Sequence, residues 1–441
     1  MSTRRNFIKE TALTAFGVGL SAGFPADLLA SRRRVPASDK LIVGLIGCRS
    51  MGFANLEDFL RQPEVECAAL CDVDRDVLGS RTRDVLEWQD KTPDQYGDFR
   101  ELIGRSDIDA VIVGTPDHWH CLPTVYACEA GKDVYVEKPL ANSVTECRLM
   151  LRAARNHDRV VQVGQQQRSG MHWKAAMEFI RSGKLGKIRR ISIWGNFNYG
   201  AGQEKVPDTP VPEGVDFDMW LGPAPQRSFN ASRFHGYWRM FWDYGGGLLT
   251  DWGVHLLDMA LWAMDVDYFP ASVQAAGGIY AHRDRALETP DTMNAVYGMD
   301  DFLITWEHNG GIESGPYDQP YGLSYRGTDG TLVIDRDKWR VFPERDDGKP
   351  RMEEVKEFRS DHQSHVNHVR NFIECVKTRK RPAADVEIGH NVAINAHLGN
   401  LALRTGRKMV YNYEANSIQG DQEATRMLTP VYRKPWELPK L

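Results

Sequence analysis

The stretch GLIGCRSMG, residues 44–52, decides the fold of the first half of the chain. It follows the apolar run Leu41–Ile46, which predicts a buried strand, and it precedes a segment with helical periodicity. The stretch nearly matches G-x-G-x-x-G, the turn that joins a strand to a helix in dinucleotide-binding domains. Gly47 would end the strand and Gly52 would lie in the first turn of the helix, whereas Arg49 replaces the middle glycine.

An acidic residue stands at the distance that this motif requires. Asp72 follows Gly52 by twenty residues, at the end of the apolar run Val65–Cys71. A carboxylate there accepts hydrogen bonds from ribose hydroxyls and repels a 2′-phosphate, so the sequence predicts NAD rather than NADP. The loop amides and the helix N-terminus suit a pyrophosphate. The loop residues expected to bind the cofactor are Gly47, Arg49, Ser50, Met51 and Gly52.

Arg49 leaves two alternatives open. Its side chain folds outward and pairs with phosphate, or it blocks the loop and the segment is a relic that no longer binds nucleotide. The strand–turn–helix–strand–acid order favours binding.

The rest of the chain divides into two patterns. From residue 40 to 163, short apolar runs without alternation are separated by helical segments, which predicts a parallel sheet covered on both faces. From residue 164 to 412, alternating runs such as KIRRISIWGNFN (187–198) lie between Gly, Asp and Asn turns and predict a largely antiparallel sheet. The predicted fold is therefore α/β: a doubly wound Rossmann domain, then an α+β domain with an open sheet, then an irregular tail at 413–441.

The N-terminus resembles a twin-arginine export signal over residues 1–30, with a linker at 31–39. Arg4 and Arg5 precede an apolar stretch that is too short and too rich in Gly and Ala to span a membrane well. A frayed basic helix is the alternative. Seven dispersed cysteines without a C-x-x-C pair indicate free thiols, which fits folding in the cytoplasm before export to the periplasm. A net charge of −5 argues against a nucleic-acid partner, and no stable membrane anchor is expected.

Two further motifs carry groups suited to acid–base chemistry. Lys138 follows Glu137 at the end of a predicted parallel strand, where it would stabilise the negative charge that develops as hydride leaves. A surface lysine before a turn proline is the alternative. Asp251 and His255 stand one helical turn apart, and a histidine beside a carboxylate is a suitable general base. A purely structural pair is the alternative there.

The motifs occur in one order, which includes Cys71-Asp72-Val73-Asp74, Gly114-Thr115-Pro116, Glu137-Lys138-Pro139 and the D-x-x-x-H of Asp251 to His255. From about residue 40 the chain resembles the Gfo/Idh/MocA family, the glucose–fructose oxidoreductase, inositol dehydrogenase and rhizopine catabolism group. With its signal, it resembles the exported members. The resemblance implies an NAD-binding Rossmann domain, an open-sheet domain, a carbohydrate substrate and a homodimer or homotetramer.

The resemblance also implies roles for individual residues. His255 is the expected acid/base, Lys138 polarises the reacting hydroxyl and Asp251 positions the substrate. The residues expected along the nicotinamide are Thr115, Pro116, His120, Glu137, Lys138 and Gln165. Those expected at the substrate are Arg168, Trp194, Asn196, Tyr237, Trp238 and Trp242, with core or interface packing as the alternative for the aromatic side chains.

Three functions remain open from the sequence. The leading one is an NAD-dependent oxidoreductase acting on a sugar, glycoside or polyol. The second is a redox-neutral glycosidase that oxidises, eliminates, adds water and reduces, as exported NAD-dependent glycosidases that resemble this family do. The third is a carbohydrate-binding relic. No metal is expected, because His365, His368, His390 and His397 lack a Cys or acidic partner at ligand spacing.

Overall fold

The structure, a computed structural model, describes residues 40–440. The predicted export signal and the predicted linker therefore lie outside the described residues. In the part that is described, no helix is long and apolar enough to cross a membrane. All seven cysteines are buried and none forms a disulfide, which confirms the prediction of free thiols.

The first half of the chain forms a six-stranded parallel sheet. Its strands are β1 (Leu41–Ile46), β2 (Val65–Cys71), β3 (Asp94–Tyr96), β4 (Ala110–Val113), β5 (Asp133–Val136) and β6 (Val161–Val163). They are arranged in the order β3-β2-β1-β4-β5-β6, so the winding direction reverses between β1 and β4. In a doubly wound sheet the ligand binds at that reversal, outside the carboxyl ends of the strands. The predicted Rossmann domain is confirmed.

Helices cover both faces of this sheet. They are α1 (Ser50–Leu60), α2 (Arg75–Gln89), α3 (Phe99–Ile103), α4 (Cys121–Glu129) and α5 (Val144–Asn156). The start of α5 is fixed by a capping box: Ser143 Oγ accepts from the amide of Glu146 at 3.2 Å and donates to its carboxylate at 2.7 Å.

The second half is built on an eight-stranded sheet in the order β18-β15-β14-β13-β7-β12-β11-β9. Every neighbouring pair in it is antiparallel except β7 and β12, so the predicted open, largely antiparallel sheet is confirmed. The strands are β7 (Arg190–Gly195), β9 (Ser272–Gly278), β11 (Thr292–Gly298), β12 (Leu303–Asn309), β13 (Tyr321–Arg326), β14 (Gly330–Ile334), β15 (Lys338–Pro343) and β18 (Phe358–Arg359).

The remaining elements pack around these two sheets. The helices are α6 (Met171–Arg181), α7 (Phe217–Leu221), α8 (Val254–Ala263), α9 (Ser364–Thr378), α10 (Val386–Thr405) and α11 (Gln422–Met427). Three short pairs join β8 (Gln203–Glu204) to β10 (Arg285–Ala286), β16 (Arg345–Asp346) to β17 (Lys349–Pro350), and β19 (Tyr411–Asn412) to β20 (Ser417–Ile418). Helix α8 lies against one face of the large sheet, where the Tyr325 hydroxyl donates to the Met259 carbonyl at 3.0 Å.

Two later parts of the chain contact the Rossmann domain, which the sequence did not predict. Helix α9, assigned to the second domain by sequence position, packs against the Rossmann domain: the ring of Phe372 lies 5.7 Å from that of Phe59 and 5.9 Å from that of Tyr135. The tail predicted as irregular contains β20 and α11. It is bound to the first domain, since the Thr145 amide donates to the Leu428 carbonyl at 3.0 Å.

Candidate active site

A cleft of about 990 Å³ lies at the carboxyl ends of β1, β2, β4 and β5. It is therefore at the reversal point of the sheet, where the fold places a ligand. The predicted cofactor residues that line it are Gly47, Arg49, Ser50, Met51, Asp72, Thr115, Pro116, Glu137 and Lys138.

Three glycines bring the loop, helix α1 and the end of β4 into contact. Gly47 has a φ of +87°, and a Cβ on Gly52 would lie 2.2 Å from the Gly47 carbonyl oxygen. A Cβ on Gly114 would lie 2.3 Å from the Cα of Gly52. No side chain caps the first turn of α1, so its amides face the cleft as an anion-binding site.

Asp72 is held in place by the same loop. Its carboxylate accepts from the amide of Cys48 at 2.7 Å and from that of Asp74 at 3.0 Å. Burial raises the pKa of Asp72, and the two amide hydrogen bonds oppose that rise. On the wall beside it, the Thr115 hydroxyl is buried and has no hydrogen-bond partner within residues 40–440. An uncapped helix terminus, a fixed carboxylate and an orphaned hydroxyl fit a bound NAD, with the pyrophosphate at α1 and a ribose at Asp72.

Arg49 is exposed at the mouth of this cleft. Its positive charge opposes the rise in the pKa of Asp72. Burial, followed by the charge of Arg49, lowers the pKa of His235 on the opposite wall. A side chain that blocked the loop would be buried, so the geometry agrees with the alternative in which Arg49 faces the phosphates.

Lys138 connects the two halves of the molecule at the inner end of the cleft. Its Nζ donates to Asp251 Oδ1 at 2.5 Å and to the Asp251 carbonyl at 3.1 Å. Arg239 Nε donates to the same carboxylate oxygen at 3.2 Å. Burial would raise the pKa of Asp251, but Lys138 and Arg239 hold it at about 2. Asp251 is therefore an ionised residue that positions both cations.

His255 lies one turn beyond Asp251 but is not bonded to it. A π-helical turn, Leu249–Gly253, precedes α8, and such turns are frequent at functional sites. The Asp251 carboxylate faces Lys138 and Arg239, so the predicted Asp–His pair does not form. The His255 imidazole makes no hydrogen bond within the part of the chain that is described. Burial, followed by the positive charge of Lys138, lowers its pKa well below 6.5, so the ring is neutral at physiological pH.

The aromatic side chains near His255 are not those that the sequence predicted. Trp252 lies 4.8 Å from Phe197 and 5.1 Å from Tyr321 between ring centres, and its ring lies 6.4 Å from that of His255. We call Phe197, Trp252 and Tyr321 the aromatic cluster. Tyr199, at the same end, hydrogen-bonds Asp251.

The predicted aromatic rim is only partly assembled. Trp238 lines the cleft, and Tyr237 beside it is 45% exposed. Trp194 lies on the sheet face opposite Ile193, and the segment before β13 buries it there: its indole donates to the Gln319 carbonyl at 2.8 Å. Trp242 lines a separate cavity of about 440 Å³.

Four other predicted residues have structural partners or lie outside the cleft. Asn196 donates to the Ser314 carbonyl at 3.2 Å. Arg168 is buried and donates to Asp258 at 2.8 Å, so it is not a substrate contact in this arrangement. The His120 ring bridges the carbonyls of Thr115 and Pro139, at 2.9 and 2.7 Å, and supports the loop from behind. Gln165 is buried, with its amide oxygen unpartnered within residues 40–440.

Three charged residues at the site were missed by the sequence analysis. Arg239 stands among aromatic residues in YWRMFW, and Asp117 directly follows Thr115-Pro116. Asp117 is buried on the cleft wall, and burial raises its pKa far above the ordinary range. Arg336 lies in the turn between β14 and β15, and no local sequence signal marks it.

The second half of the chain closes over the cleft. The Asp216 amide donates to the Val73 carbonyl at 2.9 Å, and the Arg75 amide donates to the Gly214 carbonyl at 3.1 Å. His235 Nε2 lies 2.8 Å from the Asp74 carboxylate. We call residues 214–235 the covering segment. A cofactor in the cleft would thus lie between the Rossmann domain and this segment.

Comparison with known families agrees with this architecture. Residues 41–165 match the model described as "Oxidoreductase family, NAD-binding Rossmann fold". Residues 171–297 and 326–438 match the model described as "Oxidoreductase family, C-terminal alpha/beta domain". Both belong to one family, and together they include the cleft, Lys138, Asp251 and His255.

Curated relatives are similar over part of their length. A Glycosyl hydrolase family 109 protein of Shewanella putrefaciens is 28% identical over 201 residues, and one of Shewanella pealeana is also 28% identical over 201 residues. Each match covers 42% of this chain and 44% of the relative, so the chain spans less than half the length of these relatives.

Solved structures share the fold over most of the chain. A levoglucosan dehydrogenase in complex with NADH and levoglucosan superposes with a TM-score of 0.63 at 18% identity, covering 84% of this chain and 98% of that one. The aldose-aldose oxidoreductase of Caulobacter crescentus gives 0.63 at 20% identity, covering 84% and 99%. The WlbA dehydrogenase of Bordetella pertussis, with NADH and UDP-GlcNAcA, gives 0.62 at 17%, covering 85% and 99%.

Proposed function

The chain belongs to the Gfo/Idh/MocA oxidoreductase family, and we propose that it transfers hydride between a carbohydrate hydroxyl carbon and tightly held NAD. One observation carries the proposal: Lys138, at the end of β5, meets Asp251 of the second half beside the neutral His255. A cation, a fixed carboxylate and a neutral imidazole at the inner end of a nucleotide cleft are the groups that alcohol oxidation requires.

Lys138, His255 and Arg239 have separate chemical roles in this reaction. Bound NAD⁺ supplies the hydride acceptor. Lys138, held by Asp251, donates a hydrogen bond to the reacting hydroxyl and stabilises negative charge on its oxygen. His255 accepts the hydroxyl proton at an imidazole nitrogen, because its lowered pKa keeps it neutral beforehand. Arg239 donates to the same Asp251 oxygen as Lys138, and the two cations keep Asp251 ionised, so that Asp251 does not take the proton itself.

The test is reduction of NAD by a panel of sugars, polyols and glycosides, followed at the NADH absorbance. We expect at least one of them to reduce NAD. His255→Asn should lower kcat by about 10²- to 10⁴-fold, as loss of an acid–base group does. NAD affinity should remain unchanged in that variant. Turnover by His255→Asn equal to that of the wild-type protein would refute the assignment. Failure of the wild-type protein to bind NAD would support the non-catalytic relic instead.

A redox-neutral NAD-dependent glycosidase is the second candidate, because the curated relatives carry the name Glycosyl hydrolase family 109. Such an enzyme would oxidise the sugar, eliminate the aglycone, add water and return the hydride to the same sugar. Release of aglycone from aryl glycosides without added NAD would establish this mode. NADH accumulation without aglycone release would establish the dehydrogenase.

Two further proposals concern the molecule in the cell. The arginine pair and apolar stretch near the N-terminus support export through the twin-arginine pathway, which would carry the folded protein with its cofactor. An open sheet face supports a homodimer or homotetramer. Fractionation of a tagged full-length chain and light scattering test the two proposals separately.

A further inference from the structure

Arg336 reaches toward the catalytic residues from the far side of the aromatic cluster. Its guanidinium carbon lies 4.3 Å from the centre of the Trp252 ring. Trp252 directly follows Asp251, and its ring neighbours that of His255 at 6.4 Å. After burial and the charge of Lys138, the charge of Arg336 also contributes to lowering the pKa of His255.

Among residues 40–440, no carboxylate lies within ion-pair distance of this guanidinium, and Asp251 and Asp337 attract it only from farther away. Within residues 40–440 it forms no ion pair and donates no hydrogen bond. The adjacent Asp335 is occupied, since it accepts from Gln319 at 2.5 Å and from the amides of Asp337 and Lys338 at 2.8 and 2.9 Å. Burial lowers the pKa of Arg336 itself, so its charge is incompletely compensated. An unpaired, partly buried cation is unfavourable unless a ligand supplies the counter-charge.

More cations than ionised carboxylates surround Asp251. Lys138, Arg239 and Arg336 surround one ionised carboxylate, that of Asp251. Asp117 and Glu137 are buried carboxyl groups beside these cations, and burial raises the pKa of both, for Asp117 far enough to favour the neutral form. A cleft with this balance attracts an anion.

We propose that Arg336 binds an anionic substituent of the carbohydrate, so that the preferred substrate is a sugar acid or a sugar phosphate rather than a neutral sugar. This inference rests on the proposed function, because it concerns the substrate of that site. The stacked guanidinium keeps its N–H edge free for two parallel hydrogen bonds to a carboxylate or phosphate. The same contact would fix the sugar ring beside His255.

The test is calorimetric binding to the full chain loaded with NAD. The probes are D-glucuronate, D-galacturonate and D-glucose 6-phosphate, each compared with the matching neutral hexose. We expect at least one anionic probe to bind about 10-fold or more tightly than its neutral partner, as one charge-assisted contact gives. The anionic probe that binds more tightly, a uronate or the sugar phosphate, identifies whether the anionic substituent is a carboxylate or a phosphate. Failure of every anionic probe to outcompete its neutral partner would overturn the proposal.

Substitutions of Arg336 test whether this residue causes the preference for anionic probes. Arg336→Gln should weaken the anionic probe about 10- to 100-fold and remove the preference, whereas Arg336→Lys should keep part of it. Arg359→Gln is the matched control, because Arg359 is exposed and paired with Glu357 at 2.7 Å. A preference that survives in a folded Arg336→Gln would overturn the proposal. If Arg336→Gln does not fold, the Lys variant decides: an undiminished anionic affinity there counts against a bidentate contact.

Different results would refute the proposed function and the Arg336 inference. Binding is measured without turnover, so an Arg336-dependent anion preference with no NAD reduction would refute the proposed function alone. Oxidation of neutral sugars by a protein that shows no anion preference would refute the Arg336 inference alone.

Discussion

Arg49 stands where a dinucleotide-binding loop ordinarily has glycine, yet it leaves the cleft open. Its exposed guanidinium adds positive charge at the mouth, above the uncapped end of α1. We expect Arg49→Gly to weaken NAD retention by about 10-fold, the effect of losing one charge-assisted hydrogen bond. Nucleotide dissociation from the loaded protein measures it. Arg61→Gly, at the other end of α1, is the control, and unchanged retention in Arg49→Gly would contradict the assignment.

His255 determines the acid side of the pH profile. Only the neutral imidazole accepts a proton, and burial with Lys138 nearby lowers its pKa well below 6.5. Activity should therefore stay constant as pH falls through 6.5 and decline only at lower pH. Asp251, with a pKa of about 2, stays ionised over this range, so its titration does not change the pH profile there. The pH dependence of kcat/KM checks this, and an acid limb centred at or above 6.5 would be inconsistent with it.

Single residues were predicted best where a chemical motif fixes them. Gly47, Asp72 and Lys138 lie on the cleft because their motifs specify both residue type and place on the sheet. Trp194 was misplaced because a strand pattern shows alternation but not which face meets the site. Trp252 and Arg336 were missed because only the tertiary fold brings a hairpin turn onto the residue after Asp251.

At the scale of elements, the glycine contacts between β1, α1 and β4 are the part most sensitive to substitution. A Cβ on Gly52 would lie 2.2 Å from a backbone oxygen, whereas a Cβ on Gly79 in α2 would meet only Arg83 Nη1, at 3.9 Å. Gly52→Ala should lower stability by about 1–3 kcal/mol and weaken NAD binding. Gly79→Ala should raise stability by about 0.5–1 kcal/mol. Denaturant unfolding measures the free energy of unfolding of both variants. An equal change in that free energy would show that the close contact at Gly52 does not make the substitution destabilising.

The strength of the apolar pattern decided which elements were predictable. Strands β1 and β2 are buried almost throughout, and their predicted bounds agree with the observed ones. Helix α2 shows no comparable apolar pattern, because it is mostly polar and buries only Leu78, Thr82 and Val85. The π-helical turn at Leu249–Gly253 was also beyond prediction, because residue spacing alone does not distinguish a π turn from an α turn.

At the scale of the whole molecule, the C-terminal tail fastens the covering segment to the Rossmann domain. Arg433 donates to Asp218 at 2.6 Å and to the Gly222 carbonyl at 3.0 Å. Three residues on, Trp436 packs against Trp119, with ring centres 4.8 Å apart. Trp119 itself lines the cofactor cleft. The tail therefore links the last residues of the chain to the closure of the cleft.

Shortening the chain tests this link. If the tail contributes about 1.4 kcal/mol to closure, ending the chain after Thr429 should raise the NAD dissociation rate about 10-fold. Ending it after Leu438 keeps Arg433 and Trp436 and should leave the rate unchanged. Stopped-flow displacement of bound nucleotide provides the comparison. Equal rates in the two shortened chains would show that the tail has no part in retention.

The central claim is that hydride passes between a carbohydrate carbon and NAD under the control of His255. Transfer of deuterium from a sugar deuterated at its carbons to the bound nucleotide, detected by mass during turnover, tests it most directly for both the dehydrogenase and the glycosidase. The account predicts deuterated NADH in the wild-type protein and its formation about 10²- to 10⁴-fold more slowly in His255→Asn, which should still bind NAD. Turnover of the sugar without deuterium ever reaching the nucleotide would contradict the account.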